Sequence, residues 1–125
     1  MMAFVIDSKT EEHKLIDVEP SLAEYYRIIG CRCIDIINRK VSGRDLCIIV
    51  DDEGLLKPNR CTAESDDVDM FRSHEHLVGT LIILGEGEDG ELRGLTTEES
   101  FAIEGCIEDA LFSDGSRHPI LRYTW

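Results

Sequence analysis

The chain has 125 residues, is 42% hydrophobic and carries a formal net charge of −13, with a sequence pI near 4.6. That length supplies one modest core, so residues 1–125 read as a single domain, and the apolar content excludes a disordered chain. The acidity argues against nucleic acid or an anionic membrane as a partner. No apolar run approaches the roughly 20 residues that a membrane span needs.

In chain order, "AFVIDS" (3–8) and "KLIDV" (14–18) predict two short strands around a polar connection. "PSLAEYYRIIG" predicts a helix: Ser21 can cap it, Glu24 stands three residues on, and Gly30 is placed to end it. Leu22, Tyr25, Tyr26 and Ile29 form its expected apolar face. "CRCIDIIN" and "DLCIIVDD" flank "RKVSGR" and predict an antiparallel hairpin. "EGLLKPNR" reads as a turn-rich connection. "CTAESDDVDMFRSHEH" is either a short helix or an irregular surface segment, and "LVGTLIILGE" reads as the strongest strand.

A second helix is expected within "GLTTEESFAIEGCIEDALFSDG". Thr96 caps it, Glu99 completes a capping box, and Ala102, Ile103, Cys106, Ile107, Ala110 and Leu111 make its apolar face. Asp114 or Gly115 ends it, and "RHPILRYTW" alternates as a last strand. The expected class is α+β: a mostly antiparallel sheet with about two packed helices.

Gly85-Glu86-Gly87-Glu88-Asp89-Gly90 spells the G-x-G-x-x-G dinucleotide fingerprint. That fingerprint must open directly into a helix, whose N-terminus meets the pyrophosphate. Here "ELRGL" follows, and the loop carries three acids. Asp89-Gly90 reads instead as a hairpin turn, ahead of an acidic cation-binding loop or a dinucleotide turn.

No catalytic set is evident: there is no G-x-S-x-G elbow and no Walker lysine. Five cysteines without a visible signal peptide read as free thiols, and the N-terminal "MMAFVIDSKTEEHKL" suggests a cytoplasmic protein. His74-Glu75-His76 offers two imidazoles from one strand face with no thiol pair nearby in sequence, and Asp51-Asp52-Glu53 reads as a solvated turn. No metal and no cofactor are assigned.

The residues suited to an anionic, base-containing ligand are arginines that fork onto phosphate and aromatics that stack on a base. Asn59, Arg60, Phe71, Arg117, Arg122 and Trp125 are the candidates. Each arginine has a competing reading as a balance for nearby acids, and Phe71 and Trp125 as packing residues.

The block from Pro20 to Leu95 resembles a family of small proteins encoded by phages, prophages and mobile elements. The motifs that carry the resemblance are "LAEYYRIIG", "VDDEGLLKPNR" and "LVGTLIILGEGEDGELRGLTTEE". Size, acidity and architecture also look like the phage Thoeris anti-defence sponge proteins. That resemblance implies a protein of the host-cell cytoplasm that sequesters cyclic ADP-ribose isomers, and cyclic oligonucleotides, without cleaving them. It also implies a homodimer or higher homo-oligomer. The alternative is an acidic protein–protein inhibitor or DNA mimic that blocks a basic host defence enzyme.

Overall fold

The computed structural model describes residues 1–66 and 74–125. The fold is α+β, with ten strands in two sheets and two helices among the described residues. The strands are β1 (Met2–Ile6), β2 (His13–Asp17), β3 (Ile34–Val41), β4 (Arg44–Asp51), β5 (Cys61–Ser65), β6 (His76–Val78), β7 (Leu81–Glu86), β8 (Leu92–Arg93), β9 (Ile107–Leu111) and β10 (Arg117–Tyr123). Helix α1 spans Leu22–Ile29 and α2 spans Thr97–Gly105.

The larger sheet runs β2-β1-β7-β4-β3, with β8 paired to β7, and all its pairings are antiparallel. The smaller sheet runs β6-β5-β10-β9, and β5–β10 is its parallel pair. The pleat sorts the apolar residues of the larger sheet onto two faces. Phe4, Ile6, Leu46, Ile48, Leu81 and Ile83 join Ala63, Leu77, Leu121 and Tyr123 of the smaller sheet in one core. Their neighbours Ala3, Val5, Ile49, Ile82 and Leu84 face the other way and are covered by Tyr25 and Ile29 of α1. Both faces of the larger sheet are therefore buried, which explains why β4 and β7 read as continuous apolar runs rather than alternating ones.

The local signals form as expected. Ser21 Oγ accepts from Glu24 N, and Gly30 closes α1 at φ 77°. Thr96 and Glu99 make the reciprocal capping box of α2. The β3–β4 hairpin turns through Ser42 and Gly43, both at positive φ, as a primed two-residue turn requires. On α1, Leu22 is exposed, and Ile28 packs with Tyr25 and Ile29 in its place.

Three expectations are corrected. "LVGTLIILGE" is two strands: Gly79, at φ 79°, breaks the run and passes the chain from the smaller sheet to the larger one. Residues 61–65 of the ambiguous segment are neither helix nor irregular; they form β5, paired on both sides. The second helix stops at Gly105, and Ile107–Leu111 instead pairs with β10. An apolar pattern compatible with a helix yields there to backbone pairing with a distant strand.

The glycine loop is a hairpin between β7 and β8. Gly90 N donates to Gly87 O, Gly87 N donates to Glu91 O, and Gly90 adopts φ 81°. Gly85 serves a different need. A Cβ there would lie 2.1 Å from Arg93 Nη1, so the missing side chain lets Arg93 lie across β7 and reach Glu99.

Candidate functional site

A cleft of about 530 Å³ opens where the two sheets meet. Three segments far apart in sequence build it: the β1–β2 loop, the 57–60 connection, and Gly79–Thr80 at the crossover. The C-terminal end of α1 (Ile29, Gly30), Asp51 and His118 of β10 complete the wall.

Each cation in it is placed by local hydrogen bonding. Asp7 Oδ1 accepts from Lys9 N at 2.8 Å and Thr10 N at 3.2 Å, which folds the β1–β2 loop and holds Lys9 beside Gly30. Ser8 N donates to Thr80 Oγ1 at 3.2 Å, tying that loop to the crossover. Lys57 Nζ pairs with Asp51 at 2.6 Å, and that bond raises the pKa of the ammonium. Asn59 Nδ2 donates to Gly54 O at 3.0 Å, and its side chain lies against Gly79, where a Cβ would crowd it at 3.2 Å.

Arg60 is the distinctive group. It is half-buried, and its guanidinium donates to four backbone carbonyls: Ser8 O, Cys61 O, Pro119 O and Asp7 O. It makes no carboxylate pair among the described residues. Burial lowers its pKa, but a guanidinium stays charged throughout the working range. Four carbonyl dipoles fix its plane and leave a full positive charge at the cleft wall.

The local charge inverts the global one. The whole chain carries 13 Lys and Arg against 26 Asp and Glu. The cleft holds Lys9, Lys57 and Arg60 against Glu11 and Asp51. Asp51 is taken by Lys57, and Glu11 lies 2.5 Å from His118 Nδ1; Lys9 and Arg60 make no ion pair among the described residues, while Glu11 and Asp7 act on Arg60 through space. With the hydroxyls of Ser8 and Thr80, the arrangement suits a small anion.

Ser116, His118 and Glu11 lie in the order of a nucleophile, base and acid, with Ser116 Oγ 2.8 Å from His118 Nε2, but His118 Nδ1 makes no hydrogen bond to Glu11. Ser116 Oγ, however, donates to Asp114 Oδ1 at 2.5 Å, and its N–H donates to the same oxygen. Those bonds hold the β9–β10 turn and lower the Asp114 pKa. Ser116 does not line the cleft, so the alignment is that of a turn rather than of a reacting centre.

Of the residues singled out from the sequence, Asn59 and Arg60 line this cleft together. Arg122 is claimed by acids: Glu108 at 3.3 Å, Glu64 at 3.4 Å and Asp66 at 3.8 Å. Arg117 is exposed and lies 4.0 Å from Asp109. Trp125 carries the Arg39 guanidinium 3.9 Å over its ring and lines a separate cavity of about 400 Å³ with Asp35, Asp51 and Asp52, an acidic wall unsuited to phosphate. Phe71 lies outside the described residues. Sequence reasoning missed Lys9, Lys57, Ser8 and Thr80. The polar "DSKT" directly after a strand, with its Asx-turn aspartate, was the available signal for the first pair of these loop residues, Ser8 and Lys9.

No helix among the described residues is long and apolar enough to cross a membrane. The chain belongs to the family described as "Domain of unknown function (DUF3846)", whose model matches residues 1–107. The match takes in Lys9, Lys57, Asn59, Arg60 and Thr80 and stops before β10. No curated protein and no solved structure matches the chain.

Proposed function

We propose that this chain is a non-enzymatic binding protein that sequesters a small anionic, nucleotide-derived immune signal in the cleft around Arg60. The observation that carries the reading is a half-buried guanidinium held only by carbonyls, facing a nucleotide-sized cleft in a strongly acidic protein. Lys9, Ser8 and Thr80 supply further donors to an anion's oxygens, and the His118 ring lines the same cleft. Resemblance to mobile-element proteins and to sponge proteins names the finer class: a cyclic ADP-ribose isomer or a cyclic oligonucleotide, held intact in the host cytoplasm. The same reading carries a homodimer or higher homo-oligomer, which sedimentation of the pure chain measures.

Calorimetric titration with cyclic ADP-ribose isomers, cyclic dinucleotides and cyclic trinucleotides tests it, with inorganic phosphate as the simple anion. The expected result is saturable binding of one of the cyclic nucleotides, at least tenfold weaker in Lys9→Glu, and recovery of unchanged ligand after denaturation. Absence of heat with all of them ends the proposal, and recovery of a cleaved product replaces it with an enzyme. A basic host protein captured at low salt and released at high salt, with Lys9→Glu indifferent, would establish the acidic-inhibitor reading instead.

A further inference from the structure

We propose that Glu64, His74 and His76 form a binding site for a divalent transition metal, zinc foremost, at the edge of the smaller sheet and separate from the cleft. Three elements of geometry converge there. Glu64 on β5 is the cross-strand partner of His76 on β6, and His74 stands two residues before His76, on the same side of the chain. Ser65 fixes the pairing on either side: its N–H donates to Glu75 O, and its hydroxyl accepts from Glu75 N. One ligand atom from each of Glu64, His74 and His76 lies within 4.8 Å of the others.

The orientation of the atoms matters more than their proximity. Both imidazoles turn Nε2 toward the same carboxylate oxygen, Glu64 Oε1; His74 is in hydrogen-bond contact with it and His76 is 3.8 Å away. The other carboxylate oxygen faces Arg122 Nη1 at 3.4 Å. Arg122 thus orients Glu64 from behind and leaves Oε1 on the imidazole side, the outer partner that a ligating carboxylate needs. A four-coordinate zinc ion with bonds of about 2.0–2.2 Å needs its ligand atoms about 3.3 Å apart, a small rotation from this arrangement for exposed rings.

The charge around the cluster favours a cation. Arg122 is outnumbered by Glu64, Asp66 and Glu108, and the neighbouring cavity that His74 and His76 line is walled by Asp35 and Asp52 as well as by the Lys57-paired Asp51. Two imidazoles and one carboxylate match the borderline character of zinc better than the all-oxygen preference of calcium or magnesium. Three protein ligands leave one position open to water or to a ligand atom.

The test is titration of the full-length chain with zinc chloride by calorimetry, beside nitrogen NMR of the four histidines. One zinc per chain is expected, with the His74 and His76 Nε2 resonances moving together and His13 and His118 unmoved. Glu64→Gln and His76→Ala should each weaken binding at least tenfold, and Cys33→Ser, which removes an exposed thiol, should leave it unchanged. Zinc binding that is equal in the parent, Glu64→Gln and His76→Ala chains, or lost in Cys33→Ser, would overturn the assignment, as would no binding in the parent chain.

Discussion

Two arginines in this molecule are packed against backbone, and they end in opposite electrostatic states. Arg93 crosses β7 over Gly85, and its Nη1 and Nη2 meet the two carboxylate oxygens of Glu99 at 2.8 and 2.9 Å. Glu99 is 6% exposed and also closes the capping box of α2, so one bidentate pair joins the β8 hairpin to a helix start. Arg60 is held instead by four longer bonds of 3.2–3.3 Å to carbonyls, which orient its charge without pairing it with a carboxylate. A neutralised arginine is a strut. An arginine fixed by dipoles is a place for an anion, because the cost of ordering its side chain is already met within the fold.

The sharpest way to break this contrast is to remove the counter-charge of the strut. Glu99→Ala leaves Arg93 unpaired and α2 without its reciprocal cap. We expect a loss of about 3 kcal/mol in urea unfolding, at the low end for a buried pair because Arg93 is partly exposed. The Arg93 guanidinium also holds the Glu99 carboxyl down from 4.5 to about 2. Because the folded value is the lower one, the pair's contribution is complete above about pH 4.5 and is lost as pH falls through 2. Parent chain and Glu99→Gln should therefore converge in stability across that window; parallel curves would mean that Glu99 acts through packing alone.

Gly85→Ala reaches the same strut without touching either charge. The new Cβ would stand 2.1 Å from Arg93 Nη1 and 2.6 Å from Cζ, so the guanidinium must leave Glu99 or β7 must shift. A loss of about 2 kcal/mol is expected. In the double variant Glu99→Ala/Gly85→Ala the two losses should fall well short of additive, since both remove one interaction. Full additivity would show that Gly85 is needed for the strand and not for the arginine.

What was legible in the sequence divides along the same line of local against distant causes. The Ser21 cap, the Thr96–Glu99 box and the Asp89-Gly90 turn are set by residues within a few positions of one another, and all three form. The break at Gly79 was hidden in a continuous apolar run, because its cause is the transfer of the chain from one sheet to the other. Ile107–Leu111 fits the apolar face of a helix in the sequence, because nothing local shows that β10 pairs with it. The cleft shows the same pattern. Asn59-Arg60 stood out as a positioned loop pair, but residues 9, 57 and 80 converge only once the sheets are joined. His74-x-His76 shows two imidazoles on one strand face, and the carboxylate that meets them, Glu64, comes into view only once residues 61–65 form a strand opposite.

The smallest effect on stability should accompany the clearest effect on binding, and Lys9 is the residue where the two separate. Its backbone is held by Asp7 Oδ1, and that bond does not depend on the side chain. Its ammonium group makes no ion pair among the described residues, so Lys9→Ala removes a charge that the folded chain does not use. Unfolding free energy should stay within about 0.5 kcal/mol of the parent, as for an unentangled surface substitution. Anion affinity should fall about tenfold, the loss of one charge-assisted contact, with Arg60 still in place. Lys14, paired with Glu12 outside the cleft, is the matched control: Lys14→Ala should change neither quantity. If Lys9→Ala and Lys14→Ala weaken anion binding alike, the cleft has no local field of its own, and Arg60 is a second strut whose partners are carbonyls instead of a carboxylate.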